Sequence, residues 1–205
     1  MAAPIADGIV SHILVAMQLP MLTLQTLSLA FALSELALLL MRRSDSSARA
    51  EDRGSLRLLW ITIAVSLSAG IFCSHAVPAF GSTLLRSLMV PAVVLLAAGL
   101  MIRWYAILYL GRFFTVNVAI AADHHVVDTG PYRFVRHPSY TGCLLIFLGL
   151  AILSANWLSS ALILLPPITA FMHRINLEEA ALRSALGDSY EVYCARTPRL
   201  VPFLY

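Results

Sequence analysis

The sequence predicts an all-α integral membrane protein of about five transmembrane helices, the last two forming a C-terminal helical hairpin, with a small polar lobe on the cytoplasmic face. Three observations carry this prediction. The chain is 60% hydrophobic and only 12% charged, with a mean hydropathy of +0.82, which lies outside the range of ordinary soluble domains. Its apolar stretches are long enough to cross a bilayer core, which takes roughly 20 helical residues. Finally, residues 138–172 contain no Asp, Glu, Lys or Arg, yet Arg133, Arg136 and His137 stand just before them and His173, Arg174, Glu178 and Glu179 just after.

Taken in order, Ile9 to Met41 is apolar apart from hydroxyls, His12, Gln18, Gln25 and Glu35, and Pro20 separates a short leader from a spanning helix over Met21 to Met41. Glu35 inside that span calls for a partner in the protein interior or access to the interface. Residues 42–57 form an arginine-rich polar loop, cytoplasmic by the positive-inside rule. Leu58 to Val77 and Leu84 to Ile102 make the second and third spans, joined by the uncharged Pro78–Thr83 segment, and the third returns to the cytoplasmic side at Arg103 and Arg112. Phe114 to Ile120 alternates like a short strand that could pair with Val126 and Val127. The uncharged 138–172 segment is too long for one crossing, and Ser154-Ala-Asn-Trp157 breaks it at an interfacial aromatic. Two short arms of about 16 residues then bring both charged flanks to one side. Residues 174–186 read as an amphipathic helix stopped by Gly187, followed by a tail with Tyr190 and Tyr193.

Several function classes are disfavoured. All 14 basic residues are arginines, the formal charge is +3, and no basic stripe forms, so no nucleic-acid partner is expected. Cys73, Cys143 and Cys194 are widely spaced and are assigned to packing. Asp123-His124-His125 is read as a solvated loop, so no metal is expected; no nucleophile elbow is present. No cleavable leader is expected at the N-terminus. Short loops and arginine-rich composition point to a bacterial inner membrane, with the polar cluster facing the cytoplasm.

That cluster gathers Arg133, Arg136, His137, His173, Arg174, Glu178 and Glu179 with several tyrosines, where a lipid-soluble and a water-soluble substrate could meet. Arg174 and Glu178, four apart, could form a helix-surface ion pair, while Glu179 points about 100° away from Glu178.

The ordered blocks Leu110-Gly-Arg-Phe-Phe-Thr115, Thr129-Gly-Pro-Tyr-Arg-Phe-Val-Arg-His-Pro-Ser-Tyr-Thr-Gly142, Arg174-Ile-Asn-Leu-Glu-Glu179, Gly187-Asp-Ser-Tyr190 and Thr197-Pro-Arg-Leu-Val-Pro202 resemble the isoprenylcysteine carboxyl methyltransferase family and its prokaryotic members. The resemblance implies a methyltransferase that uses S-adenosylmethionine and takes a lipophilic or prenylated acceptor from the bilayer. It implies two regions: N-terminal transmembrane helices over 1–109, forming the lipid side, and a catalytic region over 110–205. By the same resemblance Tyr132, His137, Tyr140 and the backbone around Val126 and Val127 contact the cofactor, Leu200 and Pro202 wall its adenine, and Glu178 takes its ammonium. Arg174 and Glu179 orient the acceptor's carboxylate, hydroxyl or thiol. Arg136 and Arg133 are left between interfacial anchoring, cofactor contact and catalysis. Two other readings compete: an NADPH-dependent enzyme like the membrane sterol reductases, and a non-catalytic lipid-binding protein.

Overall fold

The structure, a computed structural model, describes residues 22, 24–38, 54–114 and 125–202. Nearly everything described is helical: α1 (Leu24–Leu38), α2 (Ser55–Ala76), the short α3 (Thr83–Ser87), α4 (Met89–Leu110), α5 (Pro138–Leu153), α6 (Trp157–Leu186) and α7 (Asp188–Arg196). Three are long and apolar enough to cross a membrane, namely α2, α4 with its continuation to Phe113, and α6; α1 and α5 are apolar but shorter. The protein is thus an integral membrane protein built from apolar helices. The expected strand over 114–120 lies almost wholly outside the described residues, as do the arginine-rich residues 42–53.

The core is a pair of pairs, with α4 running along α5 and α2 along α6. In a bilayer, where lipid tails are as apolar as leucine, such association depends on close backbone approach. At the α4–α5 crossing the sequence supplies glycine on both sides. A β-carbon on Gly99 would sit 2.6 Å from the Gly142 carbonyl oxygen, and one on Gly142 would sit 2.6 Å from that of Gly99. Along this helix pair Leu96, Ile146, Phe147 and Leu150 are buried, Ile163 of α6 packs against Gly70 of α2, and Phe31 of α1 meets Phe147 edge-on at 5.5 Å.

The hairpin turn falls where the sequence places it, at Ser154–Asn156. Ala155 takes the left-handed conformation (φ 50°), and Asn156 caps α6 by accepting from the Ser159 amide at 3.1 Å. The Asn156 amide donates to Val77 O at 2.9 Å, and the Ser82 amide donates to Ala155 O at 2.8 Å, so this turn is tied to the α2–α3 connection. Trp157 lies exposed beside it, as an interfacial aromatic should.

Two boundaries differ from expectation. The second hairpin arm does not end near Met172: α6 continues without a break to Leu186 and stops at Gly187, so the expected separate helix over 174–186 is its polar end. Pro166 and Pro167 lie inside it, as membrane helices tolerate. The third span also does not end at Arg103, because α4 runs on to Leu110 and Arg103 is buried within it. A short helix over Thr83–Ser87 precedes it, separated by Leu88. The main-chain amides of Arg136 and His137 donate to Pro198 O (2.8 Å) and Arg199 O (3.0 Å), fastening the C-terminal tail over the start of α5.

Candidate active site

The motif before α5 folds for local reasons. Gly130 has φ 57°, which favours glycine, and Pro131 opens a 3-10 turn over Gly130–Arg133. Tyr132 is drawn inward, its hydroxyl donating to Ala106 O at 3.2 Å while its carbonyl accepts from the Tyr193 hydroxyl at 2.7 Å. Burial pushes both phenols above their ordinary range. Pro138 then starts α5 at a position that has no need of an amide donor, leaving His137 at the helix mouth.

Beneath this mouth a cavity opens between α1, α2, α4, α5 and α6. Its apolar wall comes from Phe31, Leu38, Leu56, Leu59, Ile63, Leu110, Phe114, Cys143 and Phe171. Its polar lining comprises Glu35, Trp60, Arg103, Tyr132, Arg136, His137, Ser139, Tyr140, Arg174 and Glu178. The Tyr140 hydroxyl donates to Glu178 Oε2 at 3.0 Å, and Arg174, 3% exposed, donates from Nη1 to Ser55 Oγ at 2.7 Å. Tyr140 stands between His137 (ring centroids 5.8 Å) and Phe171 (5.6 Å), joining the polar mouth to the apolar wall.

Of the residues singled out in the sequence, Tyr132, Arg136, His137, Tyr140, Arg174 and Glu178 all line this one cavity. Glu179 does not. One residue further along α6 it points away, itself fully buried, into a cluster of cations, with Arg199 at 2.8 Å, His137 Nε2 at 3.1 Å, Arg136 at 3.2 Å and Arg183 at 3.3 Å. Arg174 and Glu179 therefore do not face the same space; the carboxylates that share the cavity with Arg174 are those of Glu178 and of Glu35, the latter paired with Arg103. Pro202 lines a separate outer groove with Arg133, Phe134 and the 194–199 tail, and Arg136 is common to both spaces. Leu200 is buried under that tail, where its carbonyl accepts from Thr141 Oγ1 at 2.7 Å. Val126 and Val127 are half-buried and line neither space.

Sequence reasoning missed Arg103, Trp60 and Ser139 as cavity residues. Glu35 on α1 and Arg103 on α4 form a bidentate pair, both contacts 2.5 Å, at 4% and 8% exposure, and Arg103 also donates to Ser139 Oγ at 2.8 Å. The signal was present: a lone carboxylate in one apolar helix requires a cation, and seven uncharged residues continue the helix beyond Arg103 as Trp104-Tyr-Ala-Ile-Leu-Tyr-Leu110.

Several known proteins resemble this chain. Protein-S-isoprenylcysteine O-methyltransferase of Schizosaccharomyces pombe is 38% identical over 115 residues, which is 55% of this chain and 49% of that one. Protein-S-isoprenylcysteine O-methyltransferase B of Arabidopsis thaliana is 32% identical over 114 residues, 55% of this chain and 58% of its own length. The chain thus spans about half the length of the curated relatives it matches. Among solved structures, the eukaryotic intramembrane Ras methyltransferase ICMT superposes with a TM-score of 0.58 at 27% identity, covering 72% of this chain and 53% of that chain. These relatives favour the methyltransferase reading over the reductase one, and, being eukaryotic, lend no support to a prokaryotic assignment. Residues 92–184 match the model of the isoprenylcysteine carboxyl methyltransferase family, and this stretch supplies most of α4, α5 and the part of α6 that lines the cavity.

Proposed function

We propose that this chain is an S-adenosylmethionine-dependent methyltransferase that methylates the carboxylate, or a hydroxyl or thiol, of a lipophilic isoprenoid-like acceptor at the membrane interface. One observation carries the reading: a single cavity joins an apolar wall reaching into the helices to the polar set Tyr132, His137, Tyr140, Arg174 and Glu178. Residues 110–205 then hold the cofactor side, and 1–109 supply the lipid-facing wall.

The donor set suits the cofactor. Glu178 offers the cavity a carboxylate of which only Oε2 accepts a hydrogen bond among the described residues, leaving the other oxygen for an ammonium group. S-adenosylmethionine, when bound, supplies a sulfonium methyl that an oxygen or sulfur nucleophile displaces in line. The chain's own part is positioning and exclusion of water. Arg174 holds an acceptor carboxylate by charge-assisted hydrogen bonds, and Tyr140 and Phe171 close the apolar side. His137 and Arg136 touch the cavity and are fixed from behind by Glu179, which makes Glu179 a positioning residue acting through them. Val126, Val127, Leu200 and Pro202 extend the cofactor side through the lobe and tail. The site faces the cytoplasm, since residues 42–57 carry five arginines, and the bilayer is a bacterial inner membrane by its short loops.

Calorimetric titration of the detergent-purified chain with S-adenosylhomocysteine, with NADPH in parallel, tests this reading. Micromolar binding of the first that is abolished in Glu178→Ala is the expected result. Binding of NADPH alone, or of neither, would overturn it.

A further inference from the structure

The cavity contains hydrogen-bond donors that neither the motif nor the methyl-transfer chemistry employs. Trp60 of α2 lines it, and its indole Nε1 is buried with no partner among the described residues. The neighbouring Trp104 has its Nε1 satisfied by Ser34 Oγ at 2.8 Å, so the sequence provides partners for indoles elsewhere. Arg103 adds to the excess. Its guanidinium has five N–H groups, of which Nε and one on Nη2 go to Glu35 and one on Nη1 goes to Ser139. Two N–H groups therefore remain without a partner among the described residues, in a cavity whose apolar wall is built of leucine, isoleucine and phenylalanine. Indole and guanidinium donate and accept nothing, so whatever completes them must bring acceptor atoms. A hydrocarbon tail brings none, and leaving such donors unmet beside it is unfavourable.

We propose that Trp60 and Arg103 form a second recognition point for the acceptor, which takes an oxygen carried on its hydrophobic part: the substrate class is an oxygenated lipophile, not a plain hydrocarbon chain ending in the methylated group. Glu35 and Ser139 are positioning residues in this scheme, because they fix the guanidinium plane and so decide where the spare N–H groups lie. The proposal rests on the methyl-transfer reading for its turnover assay only, since the recognition itself can be read by binding.

The test uses the full chain in detergent, saturated with S-adenosylhomocysteine and carrying 15N-labelled tryptophan. The chain has three tryptophans, and the Trp60 Nε1–H signal is assigned by its loss in Trp60→Phe. The probes are farnesoic acid and a series of analogues of equal length in which one methylene is replaced by a carbonyl at successive positions. At least one keto analogue should move the Trp60 signal downfield and bind about fivefold more tightly than farnesoic acid, as one added hydrogen bond allows. Trp60→Phe should erase that preference, so that the keto analogues and farnesoic acid bind the variant with equal affinity. Equal affinities with no shift across the series would overturn the proposal. So would a Trp60 shift caused by S-adenosylhomocysteine alone with weakened binding of it in Trp60→Phe, which would give the donors to the cofactor. Absence of methyl transfer to every probe, with the shift and the preference intact, would refute the methyltransferase reading and uphold the recognition point.

Discussion

Two adjacent glutamates on α6 have opposite environments, and their substitution should separate binding from stability. Glu178 faces the cavity with one hydrogen bond from Tyr140, so Glu178→Gln should leave the melting temperature within a degree or two and weaken S-adenosylhomocysteine by about tenfold or more, read by calorimetry. Glu179 is fully buried among His137, Arg136, Arg183 and Arg199. Removing the charge from such a cluster leaves cations uncompensated, so Glu179→Gln should cost on the order of 3–5 kcal/mol of stability, measured by unfolding in mild detergent. Arg174→Lys keeps the charge but loses the planar fork. If the acceptor group is a carboxylate, kcat/KM should fall by about a hundredfold with cofactor affinity little changed. The sequence could place both glutamates on one helix turn and 100° apart, but not say which one faced the cavity. That choice depends on the rotation of α6 against α5, which is set by packing between distant segments.

At the scale of elements, the hairpin was legible because its signals are local: a polar break, an interfacial tryptophan, and an asparagine ready to cap. The end of α4 was not. An arginine in an apolar run reads as an interface marker, and only the partner carboxylate on α1 makes it an interior residue. Neutralising both members of that pair should be milder than neutralising one. Glu35→Gln and Arg103→Gln should each destabilise by about 3–5 kcal/mol, with the double variant well below their sum, as a double-mutant cycle in detergent would show. The α4–α5 contact offers a second check, because Gly142 meets the backbone of Gly99 and Arg103 directly. Gly142→Leu should force the helices apart and abolish a cooperative unfolding transition, whereas Leu→Met changes on the exposed faces of α2 should fall within about 0.5 kcal/mol.

For the whole molecule, segments far apart in sequence converge on one space: α1 and α2 contribute Glu35 and Trp60, α4 contributes Arg103, the loop and α5 contribute Tyr132 to Tyr140, and α6 contributes Arg174 and Glu178. The motif-bearing half could be read from its residues, since turn formers, arginines and the His-Pro step have fixed local meanings. The first hundred residues could be read only as membrane helices, because an apolar helix gives no local sign of which face meets a partner. The tail is a similar case: it was visible as the segment Pro198 to Pro202, but its pairing with Arg136 and His137 is a long-range contact.

Because α6 is a single rod from the Asn156 cap to Gly187, its apolar middle fixes the angular phase of its polar end. Deleting one residue between Pro167 and Phe171 would turn everything beyond by about 100° and draw it back by about 1.5 Å. Glu179 would swing toward the slot of Glu178, Arg174 would leave its own, and the buried cations would lose their anion. The stretch between the hairpin turn and the charged end therefore tolerates exchange of one apolar side chain for another, but not a change in its length.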